Sequence, residues 1–348
     1  MSETTVLNTR GEEMVRMKAI VRSKYGPPDV LQVQEIAKPV PNELRGVLVK
    51  IYASSINPAD RYNVNPPFLI RVLSPLFPLG MGLLKPKDPG LGGDAAGRVE
   101  AVTSNVTQFK PGDEVFGAVM NGYAEYGIAR ESKLAIKPAN VSFEQAGALP
   151  VAATTALQAI RDKGNIKPGD KVLVNGAGGG VGTYAVQIAK ALGGEVTAVT
   201  STANLDLVKS LGADHVIDYT KEDFAKNGER YDLICDIAAS HSVSEYKNIL
   251  NPNGVCVIVG IKTNIIRGLL YYQIIGRLRG GDKKFRFFIA NINQKDLSFL
   301  ADLQAAGKLR TVVGGRYSLN DTPEAIRHLI RGVAQGKIVI TVRPDINQ

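Results

Sequence analysis

Apolar and polar positions follow two different patterns along the chain. Over the first part the apolar runs are short and rich in β-branched residues. Met17-Lys-Ala-Ile-Val21 and Gly46-Val-Leu-Val-Lys-Ile-Tyr52, each bounded by Gly or Pro turns, predict strands. Gly97 to Lys137 returns to short strands around the turn Lys110-Pro-Gly-Asp113. Between these blocks, Asn57 to Pro89 is Pro- and Leu-rich without a period and reads as irregular. The Ala-rich Glu144 to Arg161 reads as a helix. The pattern then changes. Buried strands are predicted at Lys171–Asn175, Glu195–Thr200, His215–Ile217, Asp232–Cys235 and Val255–Val259, with helices at Val181–Leu192 and Asn204–Leu211. Strands alternating with helices predict βαβ units and a parallel sheet. Asp296–Gly307 reads as a further helix and Gly336–Val342 as a closing strand.

The 348 residues are enough for two domains with separate cores. The 42 Lys and Arg exceed the 33 Asp and Glu, for a net charge of +9, which favours anionic partners such as phosphorylated cofactors. No RNP-like motif or basic stripe interleaved with aromatics is present, so nucleic acid is not expected as a partner. The two cysteines, Cys235 and Cys256, cannot make a disulfide framework or a four-thiolate zinc site. Both fall in predicted strands and read as small core residues in a reducing compartment. The first sixteen residues have no apolar core and contain Glu3, Glu12 and Glu13, unlike a secretory or transit peptide, and a cytoplasmic location is expected.

The sharpest motif is Val172-Leu-Val-Asn-Gly176-Ala-Gly178-Gly179-Gly180-Val-Gly182, where a predicted strand runs into glycines and a helix opens at once. Glycines permit a tight turn and a close approach of a pyrophosphate, and the helix N-terminus supplies free N–H groups and partial positive charge. The motif departs from G-x-G-x-x-G in having Ala177 at the first position. At the end of the next strand, Thr200-Ser201-Thr202-Ala203-Asn204 offers hydroxyls and an amide and no carboxylate to repel a 2′-phosphate, which favours NADP(H) over NAD. No Arg or Lys occurs in this turn, and the alternative reading of the same residues is as helix caps.

Together with Tyr25-Gly-Pro-Pro-Asp-Val-Leu31, Asn57-Pro58-x-Asp60, Gly93-Asp94-x-x-Gly97, Gly122-Tyr-Ala-Glu-Tyr126, Leu211-Gly-Ala-Asp-His-Val-Ile-Asp-Tyr219 and Gly336-Lys337, this motif resembles the medium-chain dehydrogenase/reductase superfamily. The match is to its zinc-independent quinone oxidoreductase branch, and within it to a subgroup with mitochondrial and chloroplast-envelope members. The resemblance implies an α/β fold: a GroES-like, β-rich catalytic domain over residues 17–145, a Rossmann doubly wound parallel sheet over 146–285, and a return to the catalytic domain over 286–348. Residues 1–16 are expected as a flexible extension. It further implies that Thr155 contacts the cofactor near the nicotinamide. Gly178, Gly179, Gly180 and Val181 would hold the pyrophosphate, with Ser201, Thr202, Asn204 and Tyr219 around the 2′-phosphate. Gly260, Ile261, Phe288 and Ala290 would frame the nicotinamide. Where zinc relatives carry ligands this chain has Asn57, Gly93 and Ala152 or Ala153, so no metal is expected. Asn204 and Gln335 replace cations found in some members, which removes charge near the expected 2′-phosphate.

The expected chemistry is hydride transfer from NADPH to a small electrophile, a quinone or an enal or enone. Without metal, hydrogen bonds must polarise the acceptor oxygen, and the candidate catalytic residues are Asn57 and Tyr62. Asn57 reads equally as a turn residue before Pro58, and Tyr62 as a packing aromatic. Two other classes compete: an NADPH-binding structural or RNA-associated protein, and an alcohol dehydrogenase. The apolar stretch Pro67–Leu84 can line a mouth for a lipophilic acceptor. Ile265–Phe288 mixes apolar residues with Arg and Lys and can make weak peripheral membrane contact, though a solvated homodimer edge is the preferred reading.

Overall fold

The strand-rich part of the chain is completed by its last strands, which return to pair with it. The computed structural model describes residues 15–73, 82–260, 281–332 and 334–343. Ile261, most of the basic stretch 265–288, part of Pro67–Leu84 and nearly all of the N-terminal extension lie outside the described residues.

Strands β1 (Arg16–Val21) and β2 (Gln32–Ala37) pair antiparallel. Strand β3 (Val47–Ile56) is buried over nearly its whole length, as its unbroken apolar run requires. It anchors a sheet that also contains β4 (Asp94–Val102), β5 (Glu114–Ala118), β6 (Tyr126–Ala129) and β7 (Leu134–Ile136). The other side of β3 is taken by β15 (Lys337–Thr341), with β14 (Val313–Ser318) beyond it. The antiparallel register sets Ile338 opposite Ile56, which brings Lys337 beside Asn57.

The parallel sheet is built from β8 (Lys171–Asn175), β9 (Glu195–Thr200), β10 (His215–Asp218), β11 (Tyr231–Asp236), β12 (Leu250–Ile258) and β13 (Lys284–Phe287). Its order is β10-β9-β8-β11-β12-β13, all parallel. Successive β8 residues serve opposite faces: Val172 and Val174 join one core cluster, and Leu173 joins the other. Both faces are covered, which is why these strands read as continuous apolar runs. Cys235 and Cys256 lie on opposite faces as free, fully buried cysteines whose thiol pKa values burial pushes up.

Two helical readings needed correction. The single helix expected over Glu144–Arg161 is broken into α3 (Phe143–Gly147), α4 (Pro150–Leu157) and a wide turn over Gln158–Lys163. Pro150 has no N–H to continue a helix and instead starts a new one. The segment read as irregular contains α1 (Pro58–Val64) and α2 (Phe68–Leu73). Helices α5 (Gly180–Ala191), α6 (Leu205–Ser210), α7 (Val243–Ile249), α8 (Gln294–Ala305) and α9 (Thr322–Arg331) complete the described elements.

Candidate active site

The strand order reverses between β8 and β11, the place where open α/β sheets bind ligands at strand C-termini. Here β8 ends at Asn175, whose Nδ2 donates to Asp236 Oδ1 of β11 at 2.8 Å. The glycine turn follows. Gly176 has φ +90°, which only glycine adopts without strain. A Cβ on Gly182 would lie 2.1 Å from Gly176 O, so this glycine lets α5 pack against the strand. A Cβ on Gly178 would strike Asn204 Nδ2 at 2.6 Å and Thr200 Oγ1 at 2.7 Å. Gly179 differs: a Cβ there would find only Gly176 O, at 3.6 Å. That open space lies at the N-terminus of α5, where backbone N–H groups and the helix dipole favour an anion. The geometry fits the pyrophosphate of a dinucleotide.

A cavity of about 700 Å³ extends from this turn, lined among others by Gly178, Gly179, Ser201, Asn204, Tyr219 and Lys221. Five of the eight residues assigned from the sequence to pyrophosphate and 2′-phosphate therefore share its wall. Thr202 is turned away: its hydroxyl donates to Asp218 Oδ2 at 2.5 Å. Asp218 was not anticipated, because it arrives from β10, opposite Thr200 of β9. The Thr202 and Thr220 hydroxyls hold its pKa down to about 2, so it is ionised. Lys221 Nζ lies 3.4 Å from the same carboxylate and supplies a cation that the turn after β9 lacks. Gly180 and Val181 form the first turn of α5.

The two domains meet directly at the glycine turn. Gly336 N donates to Gly178 O at 2.9 Å, and a Cβ on Gly180 would lie 3.1 Å from Lys337 Cδ. The Lys337 side chain runs from there into the catalytic domain and is 3% exposed. Its Nζ donates to Asn57 Oδ1 at 2.7 Å and Ile56 O at 3.0 Å, and lies 3.9 Å from Asp94 Oδ2. Asp94 Oδ2 accepts from Asn57 Nδ2 (2.7 Å) and Ser55 Oγ (2.8 Å), and Oδ1 accepts from Val151 N (3.0 Å) at the start of α4. One buried carboxylate thus ties β3, the entry to α1, α4 and β15 together. Burial pushes the Asp94 pKa up, opposed by Lys337, and pushes the Lys337 pKa down, opposed by Asp94. Below this network, Asp60 Oδ2 accepts from Asn57 N and Tyr123 Oη, each at 2.7 Å, and burial raises its pKa to about 6. Asp94, Lys337, Asp60 and Tyr123 carried no role in the sequence reading, although each stands in a motif quoted for the family resemblance.

The network changes what Asn57 can do. Its carbonyl accepts from Lys337 and its amide donates to Asp94 and, at 3.4 Å, to Ser55 O, so no N–H is left for a substrate oxygen. Tyr62, on α1, is half-buried and its hydroxyl has no hydrogen-bond partner among the described residues. It borders a cavity of about 560 Å³ between α1 and α9 that is separate from the glycine turn. Thr155 is half-buried on α4, four residues from Val151, to whose carbonyl its hydroxyl donates at 2.6 Å. Gly260 follows β12 at a point where a Cβ would meet Ile237 O at 1.9 Å. Phe288 packs against the core cluster containing α4, and Ala290 precedes Asn291, whose N–H donates to Gln158 Oε1 at 3.0 Å.

A Rossmann sheet, a β-rich domain and a glycine turn joined to a buried lysine define a two-domain nicotinamide-dependent oxidoreductase. Residues 44–194 match the alcohol dehydrogenase GroES-like domain and residues 211–340 the zinc-binding dehydrogenase family. The chain belongs to the medium-chain dehydrogenase/reductase superfamily, in its quinone oxidoreductase-like branch. It is 32% identical to the chloroplastic quinone-oxidoreductase QR1 of Triphysaria versicolor, over 93% of this chain and 98% of that protein. It is 33% identical to 2-methylene-furan-3-one reductase of Solanum lycopersicum, over 93% and 79% of the two chains. With the mitochondrial NAD(P)H oxidoreductase RTN4IP1 of Homo sapiens the identity is 31%, over 97% and 92%. The structure of a quinone oxidoreductase from Coxiella burnetii matches with a TM-score of 0.81 at 29% identity, covering 94% of this chain and all of that one. Among the described residues there is no group of three or more His, Cys, Asp or Glu side chains able to hold a metal ion.

Proposed function

We propose that this protein is an NADPH-dependent reductase of quinones or α,β-unsaturated carbonyls. The observation that carries the reading is the glycine turn, open at Gly179 and bonded through Gly336 and Lys337 to the Asn57–Asp94 network of the second domain. A bound reduced nicotinamide supplies the hydride. The protein then has to hold the coenzyme and stabilise charge developing on the acceptor oxygen. One well-placed donor is worth about 2.7–4 kcal/mol there, which suits an acceptor that is already electrophilic. Tyr62 has a free hydroxyl for that role, and Asn57, held by Lys337 and Asp94, acts as a positioning residue. Ser201, Asn204, Tyr219 and Lys221 support NADPH as the preferred coenzyme. Asp218 does not oppose it, because its oxygens are taken by Thr202, Thr220 and Lys221. The names of the quinone and methylene-furanone reductase relatives support the acceptor class.

The test is coenzyme oxidation with a panel of quinones and enones, with NADPH and NADH side by side and with Tyr62→Phe beside the parent. NADPH should be favoured at least tenfold in kcat/KM, and Tyr62→Phe should lower kcat more for enones than for quinones. Equal use of the two coenzymes would overturn the NADPH assignment, and an unchanged kcat in Tyr62→Phe would overturn the role of Tyr62.

A further inference from the structure

One corner of the catalytic domain exposes bulky apolar side chains among cations. Phe68 is 68% exposed and Leu84 is 85% exposed, with Val72 and Leu83 also exposed. 

Phe68 and Val72 are not scattered single residues: they stand four apart on α2, on one face of the helix. The two loop leucines join them through Tyr25. Its hydroxyl donates to Gly82 O at 2.9 Å, and the Arg71 guanidinium lies 5.4 Å from the Tyr25 ring and 5.6 Å from the Phe68 ring. Exposed Lys85 and Lys87 leave the same turn, since a Cβ on Gly82 would lie 3.5 Å from Lys87 Cγ and clash with Lys85 O. The acid in this turn, Asp88, is engaged at Gly90 N (2.9 Å).

Exposed apolar tips flanked by cations are complementary to a bilayer with anionic headgroups, where the tips enter the acyl boundary and the cations meet the lipid phosphates. We propose that this corner seats the protein on an anionic membrane surface. No helix among the described residues is long and apolar enough to cross a membrane, so the contact is peripheral. Pro67, next to Phe68, lines the cavity that Tyr62 borders, so a lipophilic acceptor dissolved in the bilayer would have a short path to that cavity. That last step rests on the reductase reading; the docking does not.

The test is co-sedimentation of the full chain with phosphatidylcholine vesicles, with and without phosphatidylglycerol, in the absence of coenzyme. Binding should require phosphatidylglycerol and fall as salt rises. At about 1 kcal/mol per surface cation, Lys85→Glu/Lys87→Glu should weaken it at least thirtyfold. Phe68→Ser/Leu84→Ser should weaken it at high salt as well as low. Both double variants should keep the parent's elution volume and circular dichroism, which controls for folding. No sedimentation with phosphatidylglycerol vesicles, or equal sedimentation of parent and both variants, would overturn the proposal. A shift of the parent's elution volume that the Phe68→Ser/Leu84→Ser variant loses, without vesicle binding, would assign the corner to self-association instead.

Discussion

Replacing Lys337 by Met should be the most damaging single change in the buried network around Asp94. Met keeps the length of the stem beneath Gly180 and removes the ammonium. Three acceptors then lose their donor or counter-charge: Asn57 Oδ1 at 2.7 Å, Ile56 O at 3.0 Å and Asp94 Oδ2 at 3.9 Å. Removing one partner of a buried ion pair costs about 3–5 kcal/mol, because the remaining charge has no compensation. Asp94 is fully buried, so that range applies without discount for solvent. The cost should depend on pH in a defined direction. Burial has already raised the Asp94 pKa above its unfolded value, and losing Lys337 raises it further. A group with a raised folded pKa contributes stability at low pH that is lost as pH rises through that pKa. The Lys337→Met deficit should therefore be larger at about pH 8 than at about pH 5. Denaturant titrations of the parent, Lys337→Met, Asp94→Asn and the double variant measure both effects. Asp94→Asn is costly alone, since its new amide must face either Val151 N or the Asn57 and Ser55 donors. The two losses should nevertheless couple by more than about 1.5 kcal/mol. Additive losses, or a Lys337→Met deficit below about 1 kcal/mol, would refute the claim that this buried pair holds the network between β15, β3 and β4 together.

Gly179→Ala should leave stability unchanged, because φ is −85° and the added methyl has room, but should weaken coenzyme binding at least tenfold by calorimetry. Gly182→Ala should instead lower stability by about 1–3 kcal/mol in denaturant melts, since its methyl would sit 2.1 Å from Gly176 O. Asp60→Asn should flatten the pH dependence of stability. With the folded pKa near 6 against an ordinary 3.8, the parent loses about 3 kcal/mol as pH rises from about 4 to above 6, and melts of the variant should lack that fall.

The glycine turn and strands β8 and β9 were legible because local signals agree there: an apolar run, then glycines, then a helix. The breaks in the helix over Glu144–Arg161 were less so, because Ala-rich composition masks the consequence of Pro150. The short helix Pro58–Val64 carries too few turns to show a period. The site chemistry was hidden for another reason. Asp94 and Lys337 are far apart in sequence and meet only because β15 returns to pair with β3. Asp218 likewise reaches Thr202 from a neighbouring strand, so reading the turn after β9 alone could not reveal it. Asn57 stood out in the sequence, but only its bonding partners show that its amide is committed within the protein.

The most direct measurement is calorimetric titration of the parent and Gly179→Ala with NADPH, followed by single-turnover mixing of the loaded parent with a quinone. The account predicts saturable binding that the alanine weakens at least tenfold, and oxidation of the bound coenzyme on mixing. Equal binding by the two proteins, or a loaded parent whose coenzyme stays reduced with every quinone and enone tried, would contradict it.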